Sequence, residues 1–221
     1  MKVKICGITH IDDALIAVKY GADALGFLIG LDYPTEDTVA KEFAREVIAE
    51  LPPFVSSVLV THKTDLSTIT NLCTFIRCTT VQLHGPVKPN DIRRIRAGIG
   101  AVKLIKAVHV INIEAIQKAL NFAEYVDAIL LDTNKGDRIG GTGITHDWSI
   151  SREIVDAVSV PVILAGGLNS KNVAEAIKIV KPYGVDVNTG VDDGVGNPRK
   201  NPKKLKDFIF EAKTQLELAP L

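Results

Sequence analysis

Three residues with side chains able to move protons close short apolar runs. Cys6 ends MKVKIC, an alternating run that Gly7 breaks. His84 ends VQLH, and Asp132 ends AILLD. Each run has the pattern of a strand, so each of these side chains falls at a strand's C-terminal end. A thiol becomes a base or nucleophile when neighbouring groups stabilise the thiolate. Lys4, two residues before Cys6, shares its strand face and would lower its pKa. A carboxyl such as Asp132, entering a partly desolvated mouth, gains a raised pKa and can serve as a general acid. The imidazole of His84 can bind substrate or shuttle a proton. The plainer readings are a buried structural cysteine at Cys6 and a cap or turn aspartate at Asp132. Cys73 and Cys78 lie in or after a helical segment and are assigned to packing.

A second chemistry resides in glycine. GGTG (140–143), AGG (165–167) and NTG (188–190) follow successive apolar runs. Glycine lets backbone N–H groups approach an anion closely, and a following helix N-terminus adds a favourable dipole. Gly141, Gly143, Gly166, Gly167, Asn188, Thr189 and Gly190 are therefore candidate phosphate ligands. Asn169 and Ser170 stand where they could cap the next helix. The competing reading is a set of tight turns.

These residues need a frame. Strand patterns cover 3–6, 23–29, 55–61, 79–84, 101–108, 126–132, 160–166 and 184–190. Helical patterns cover 11–20, 39–50, 65–76, 90–97, 112–121, 149–157, 170–180 and 202–216. Strands alternating with helices imply parallel βαβ units. Eight of each in 221 residues fit one closed (β/α)8 TIM barrel domain spanning 1–221, with an open doubly wound sheet as the rival. The barrel places active residues in the loops after its strands, and phosphate after strands 7 and 8. The last helix should bury Leu205, Phe208, Ile209 and Ala212. Trp148 reads as a packing residue at a helix start.

Lysine plus arginine and aspartate plus glutamate both count 26, so no global basic field calls for nucleic acid or an anionic membrane. No apolar run reaches membrane-spanning length, and no signal peptide is evident. Three cysteines without zinc-type spacing imply a reduced, cytoplasmic protein. His10, His62, His109 and His146 form no pattern such as HExxH, so the expectation is no metal. No exposed apolar stripe stands out, and the expected state is a monomer or homodimer.

KICGIT, GADALGF, LPPFV, VQLHG, LLDT, GGTG followed by THDW, LAGGLN and VDVNTGV resemble, in order and spacing, the phosphoribosylanthranilate isomerase family of tryptophan biosynthesis. The resemblance runs from about residue 2 to about residue 213. It implies a closed (β/α)8 barrel and a cofactor-free Amadori rearrangement of N-(5-phosphoribosyl)anthranilate to 1-(2-carboxyphenylamino)-1-deoxyribulose 5-phosphate. It also implies that Cys6 is the general base, that Asp132 is the general acid, and that His84 and Asp186 line the substrate site.

One departure stands out. The family carries an arginine shortly after GF, which holds the anthranilate carboxylate. Here GFLIGLDYPTEDTVAKEF has none before Arg45 and adds Asp32, Glu36 and Asp37. Lys103, Lys106 and Lys135 are candidate replacements. The departure keeps two alternatives in view: a paralogue isomerising another phosphosugar, and a non-catalytic phosphate-ligand-binding barrel.

Overall fold

The computed structural model describes residues 1–33, 35–135, 138–139, 145–194 and 196–214, without the side chains of 134, 135, 138 and 139. Alternation along each strand builds two apolar layers from one sequence pattern. In AILLD (128–132), Ala128 and Leu130 join Ile105, Ala107 and Ala165 inside the barrel. Ile129 and Leu131 face outward, into the larger core shared with the helices. The next inward residue on that strand is Asp132, so the alternation that packs the core also aims the carboxylate into the mouth.

The barrel strands are β1 (Lys2–Ile5), β2 (Ala24–Leu28), β3 (Ser56–Thr61), β4 (Thr80–Leu83), β5 (Lys103–His109), β6 (Ala128–Asp132), β7 (Val162–Leu164) and β8 (Gly184–Val187). They close in the order β1-β8-β7-β6-β5-β4-β3-β2, all parallel. The closed sheet is the expected one, and the open doubly wound alternative is ruled out.

The helices are α1 (Ile11–Tyr20), α2 (Lys41–Ala49), α3 (Leu66–Ile76), α4 (Pro89–Gly98), α5 (Glu114–Ala123), α6 (Trp148–Ala157), α7 (Val173–Val180) and α8 (Pro202–Thr214). Leu205, Phe208, Ile209 and Ala212 of α8 are buried as their spacing requires. Asp147 caps α6 by accepting from the Ser149 N–H, and Trp148 packs at the helix start.

Helix α7 begins three residues later than its periodicity suggests. The Asn169 and Asn172 side chains accept from the backbone N–H groups of Lys171 and Asn169. These local bonds offer the chain a turn in place of the first helical turn. Asn172, rather than Asn169 or Ser170, takes the position before α7, and its side chain makes no cap. Two antiparallel hairpins lie outside the barrel, Asn134–Lys135 with Arg138–Ile139 and Asp192–Gly194 with Asn197–Lys200. They are too short for the alternation pattern to reveal.

Candidate active site

Cys6 follows β1 directly, and its N–H donates to the Val187 carbonyl of β8 (2.8 Å). The thiol is buried in a pocket opened by glycine. A methyl group on Gly26 of β2 would sit 2.8 Å from Cys6 Sγ and 3.2 Å from Lys4 Cε. Lys4 is on the same inward face, as its spacing predicts. Its ammonium lies 2.9 Å from Asp186 Oδ2, with both groups out of water, and it also hydrogen-bonds the thiol. The other Asp186 oxygen, Oδ1, has no hydrogen-bond partner among the described residues.

The expectation that Lys4 leaves Cys6 acidic is not met. Burial pushes the thiol up to about 11, against the pull of Lys4, and the nearby Asp186 and Asp37 carboxylates push the same way. Asp186 is itself held above the usual carboxylate range by burial, despite Lys4.

Asp132 closes β6 opposite His109 of β5 in register. Its Oδ2 lies 3.4 Å from His84 Nε2, and its Oδ1 accepts from the Thr133 N–H (2.8 Å). Here too the expected direction is reversed. Burial favours the protonated carboxyl, but the His84 hydrogen bond, the charges of His84 and His109 and the Thr133 N–H outweigh it and hold Asp132 below the usual range. Thr133 is anchored by His146, whose Nδ1 lies 2.9 Å from Thr133 Oγ1 and whose Nε2 lies 2.6 Å from Ser151 Oγ. Burial keeps His146 neutral, near a pKa of about 4. It therefore holds a loop rather than meeting substrate.

The fold assembles an aromatic row that no local motif announced. Tyr33 packs edge-on against His62 (5.1 Å), His62 stacks on His84 (5.9 Å), and His84 meets His109 edge-on (5.3 Å). The row runs from the loop after β2 to the end of β5. The Asp32 N–H donates to His62 Nδ1 (3.3 Å), so the neutral ring carries its proton on Nε2. Burial lowers the His62 pKa and favours that neutral ring.

The lysines expected to replace an arginine are occupied or unplaced. Lys103 is at the opposite end of β5, bound to Asp127 (3.0 Å). Lys106 points outward and donates to the carbonyls of Leu83, Gly85 and Ala107, and burial lowers its pKa to about 8. The Lys135 side chain lies outside the described residues. The acidic loop is largely compensated: Asp32 pairs with Lys63 (3.4 Å), and Asp37 accepts from Asn188 Nδ2.

Gly166 and Gly167 after β7 adopt positive φ (83° and 69°), which glycine tolerates. Thr189 and Gly190 lie in the short helical turn after β8. The two loops touch, and a methyl on Gly190 would sit 2.0 Å from the Leu168 carbonyl oxygen. The Asn188 side chain is committed to Asp37 and to Lys200 Nζ (2.8 Å), so it braces the loop rather than offering itself to an anion. Gly141 and Gly143 lie outside the described residues.

A buried thiol at β1, a carboxylate–imidazole pair at β6 and β4, and contacting glycine loops after β7 and β8 all sit at one end of the barrel. That end of a (β/α)8 barrel carries activity. The fold and the gathering of ionisable side chains at this end define an enzyme of the (β/α)8-barrel class.

The sequence pattern of the N-(5'-phosphoribosyl)anthranilate (PRA) isomerase family matches residues 3–211. N-(5'-phosphoribosyl)anthranilate isomerase 2 of Methanosarcina mazei is 42% identical over 96% of this chain and 94% of its own length. The Thermotoga maritima isomerase is 40% identical over 96% of this chain and 98% of its own. A crystal structure of the T. maritima protein superposes with a TM-score of 0.86 at 37% identity, covering 97% of this chain and 99% of that one. A second crystal structure, of phosphoribosyl anthranilate isomerase in complex with reduced 1-(o-carboxyphenylamino)-1-deoxyribulose 5-phosphate, gives 0.82 at 36% identity, covering 97% and 99%. The chain belongs to the PRA isomerase family and is an isomerase of tryptophan biosynthesis.

Proposed function

We propose that Cys6 is the general base and Asp132 the general acid in the rearrangement of N-(5-phosphoribosyl)anthranilate to 1-(2-carboxyphenylamino)-1-deoxyribulose 5-phosphate. The observation that carries this reading is the placement of the Lys4–Cys6–Asp186 group on β1 and β8 and of the His84–Asp132 pair on β4 and β6. They sit at the same end of the barrel, where one sugar can lie between them.

The proton that opens the ribose ring starts in the His84–Asp132 pair. Burial favours a protonated Asp132, and a bound substrate that excludes water strengthens that preference. The proton then passes from Asp132 to the ring oxygen, which gives the open-chain Schiff base. Cys6 removes the C2 proton to form the enolamine, which tautomerises to the ketone.

Free Cys6 is a thiol, so substrate must help ionise it. A ribose hydroxyl donating to Asp186 Oδ1, which has no partner among the described residues, would offset the charge that opposes the thiolate and leave Lys4 to stabilise it.

The phosphate sits at the loops of Gly166–Gly167 and Thr189–Gly190. The loops of β3 and β4 lie across the barrel from β7 and β8. The anthranilate ring then rests on the aromatic row, and the Nε2–H of His62 donates to its carboxylate. His62 thus replaces the arginine that the second loop lacks.

The whole described barrel acts as one unit in a reducing cytoplasm, where its three cysteines stay free. Phe54 is 98% exposed beside two prolines, an apolar point at which a second copy docks. A T. maritima structure is described as a monomeric form of a dimeric enzyme.

The test is the fluorescence decay of freshly made phosphoribosylanthranilate with purified protein, coupled to removal of product. Wild type should turn it over, and Cys6→Ser and Asp132→Asn should each lose about 10²–10⁴ in kcat. Wild-type turnover in either variant removes that residue from its role.

A further inference from the structure

Three groups with metal-binding chemistry converge where the chain offers no metal motif. The ring nitrogens of His84 and His109 and a carboxylate oxygen of Asp132 lie within 4.8 Å of one another. They come from the ends of three adjacent strands, β4, β5 and β6.

One edge of this triangle already has the size that zinc requires. Tetrahedral ligands about 2.0–2.1 Å from zinc stand about 3.3 Å apart. His84 Nε2 and Asp132 Oδ2 are separated by 3.4 Å. His109 Nδ1 is buried and has no hydrogen-bond partner among the described residues, so a small ring rotation brings a free lone pair to the third corner.

The surrounding bonds suit ligation as well. Thr133 N–H holds the other Asp132 oxygen at 2.8 Å. Gln82 Nε2 lies 3.1 Å from His84 Nδ1, while Gln82 Oε1 is buried without a partner among the described residues. Flipping this amide lets Oε1 accept from Nδ1–H, which puts the His84 lone pair on Nε2, facing the ion. Outer bonds of this kind fix the tautomer of metal-bound histidines. Two imidazoles and one carboxylate suit zinc and leave a fourth position open to water from the mouth.

We propose that His84, His109 and Asp132 form a zinc site whose occupancy withdraws the Asp132 carboxylate from proton transfer and shuts the isomerase off reversibly. The shut-off rests on the reading of Asp132 as the general acid; the binding does not.

Protein stripped with chelator is titrated with Co²⁺ followed by its visible spectrum. It is then titrated with Zn²⁺ against a chromophoric chelator, with turnover followed in parallel. One ion per chain, a four-coordinate cobalt spectrum and loss of turnover restored by EDTA are expected. His109→Val should bind zinc at least about tenfold more weakly, and its inhibition curve, taken relative to its own metal-free turnover, should shift by the same factor. Cys6→Ser should bind zinc as wild type does.

Unchanged affinity in His109→Val, or lost affinity in Cys6→Ser, overturns the site. Stoichiometric binding that depends on His109 but leaves turnover intact overturns the shut-off. If Asp132→Asn also turns over normally, the fault is in the catalytic reading, and if it is inactive, the fault is in the inference about zinc.

Discussion

Lys4 and Asp186 face each other from neighbouring strands, ammonium to carboxylate at 2.9 Å, both buried, with the Cys6 thiol bonded to the same ammonium. Removing one member leaves the other buried without its counter-charge. Lys4→Met should therefore destabilise the protein by about 3 kcal/mol at neutral pH, and Lys4→Met with Asp186→Leu should recover most of that loss. Urea unfolding of the three proteins measures it. A single variant as stable as wild type would show that the pair adds nothing.

The raised Cys6 pKa fixes the sign of two pH effects. In the fold the thiol keeps its proton up to about 11, whereas in the unfolded chain it loses it near 9.0. Between these values the folded state holds more protons, so this stabilising contribution is complete below pH 9 and fades as pH rises through 11. Wild type should lose about 2–3 kcal/mol more than Cys6→Ser over that window, from two pKa units at 1.36 kcal/mol each. The kcat/KM profile of the free enzyme should also still be rising above pH 9. A plateau by pH 8 would mean that another group is the base.

Gly26 is part of the site by having no side chain. Gly26→Ala places a methyl 2.8 Å from Sγ and 3.2 Å from the Cys6 backbone, so Cys6 or Lys4 must move. The expected cost is about 1–3 kcal/mol of stability together with a fall in kcat. Thermal melts and turnover of the variant check both, and unchanged kcat would show that the thiol's position tolerates shifts.

His62 is assigned a binding role distinct from proton transfer. His62→Ala should raise KM by about 10–100-fold, the value of a hydrogen bond to a charged group, and leave kcat within a few-fold. A large fall in kcat at unchanged KM would place His62 in the chemistry instead.

Phe54→Glu should convert any dimer to monomer in light scattering without loss of fold, since the ring meets only solvent within one chain. A dimer that persists places the contact elsewhere.

The sequence determined the alternation of strands and helices, and with it the end of the barrel where Cys6, His84, Asp132 and Asp186 must lie. Local periodicity sets which way each side chain points, and that is a property of neighbours in the chain. Only the tertiary structure decided the chemistry of those side chains. Lys4 was legible as a neighbour of Cys6, but Asp186, 182 residues away, shares its charge, and burial then drives the thiol up instead of down. Asp132 was legible as a buried carboxyl, but His84 from another strand reverses its direction. The space left by Gly26, the row from Tyr33 to His109 and the commitment of Lys106 to three carbonyls arise from strands packed side by side. A pKa or a contact depends on everything within a few ångströms, and barrel closure decides which residues those are.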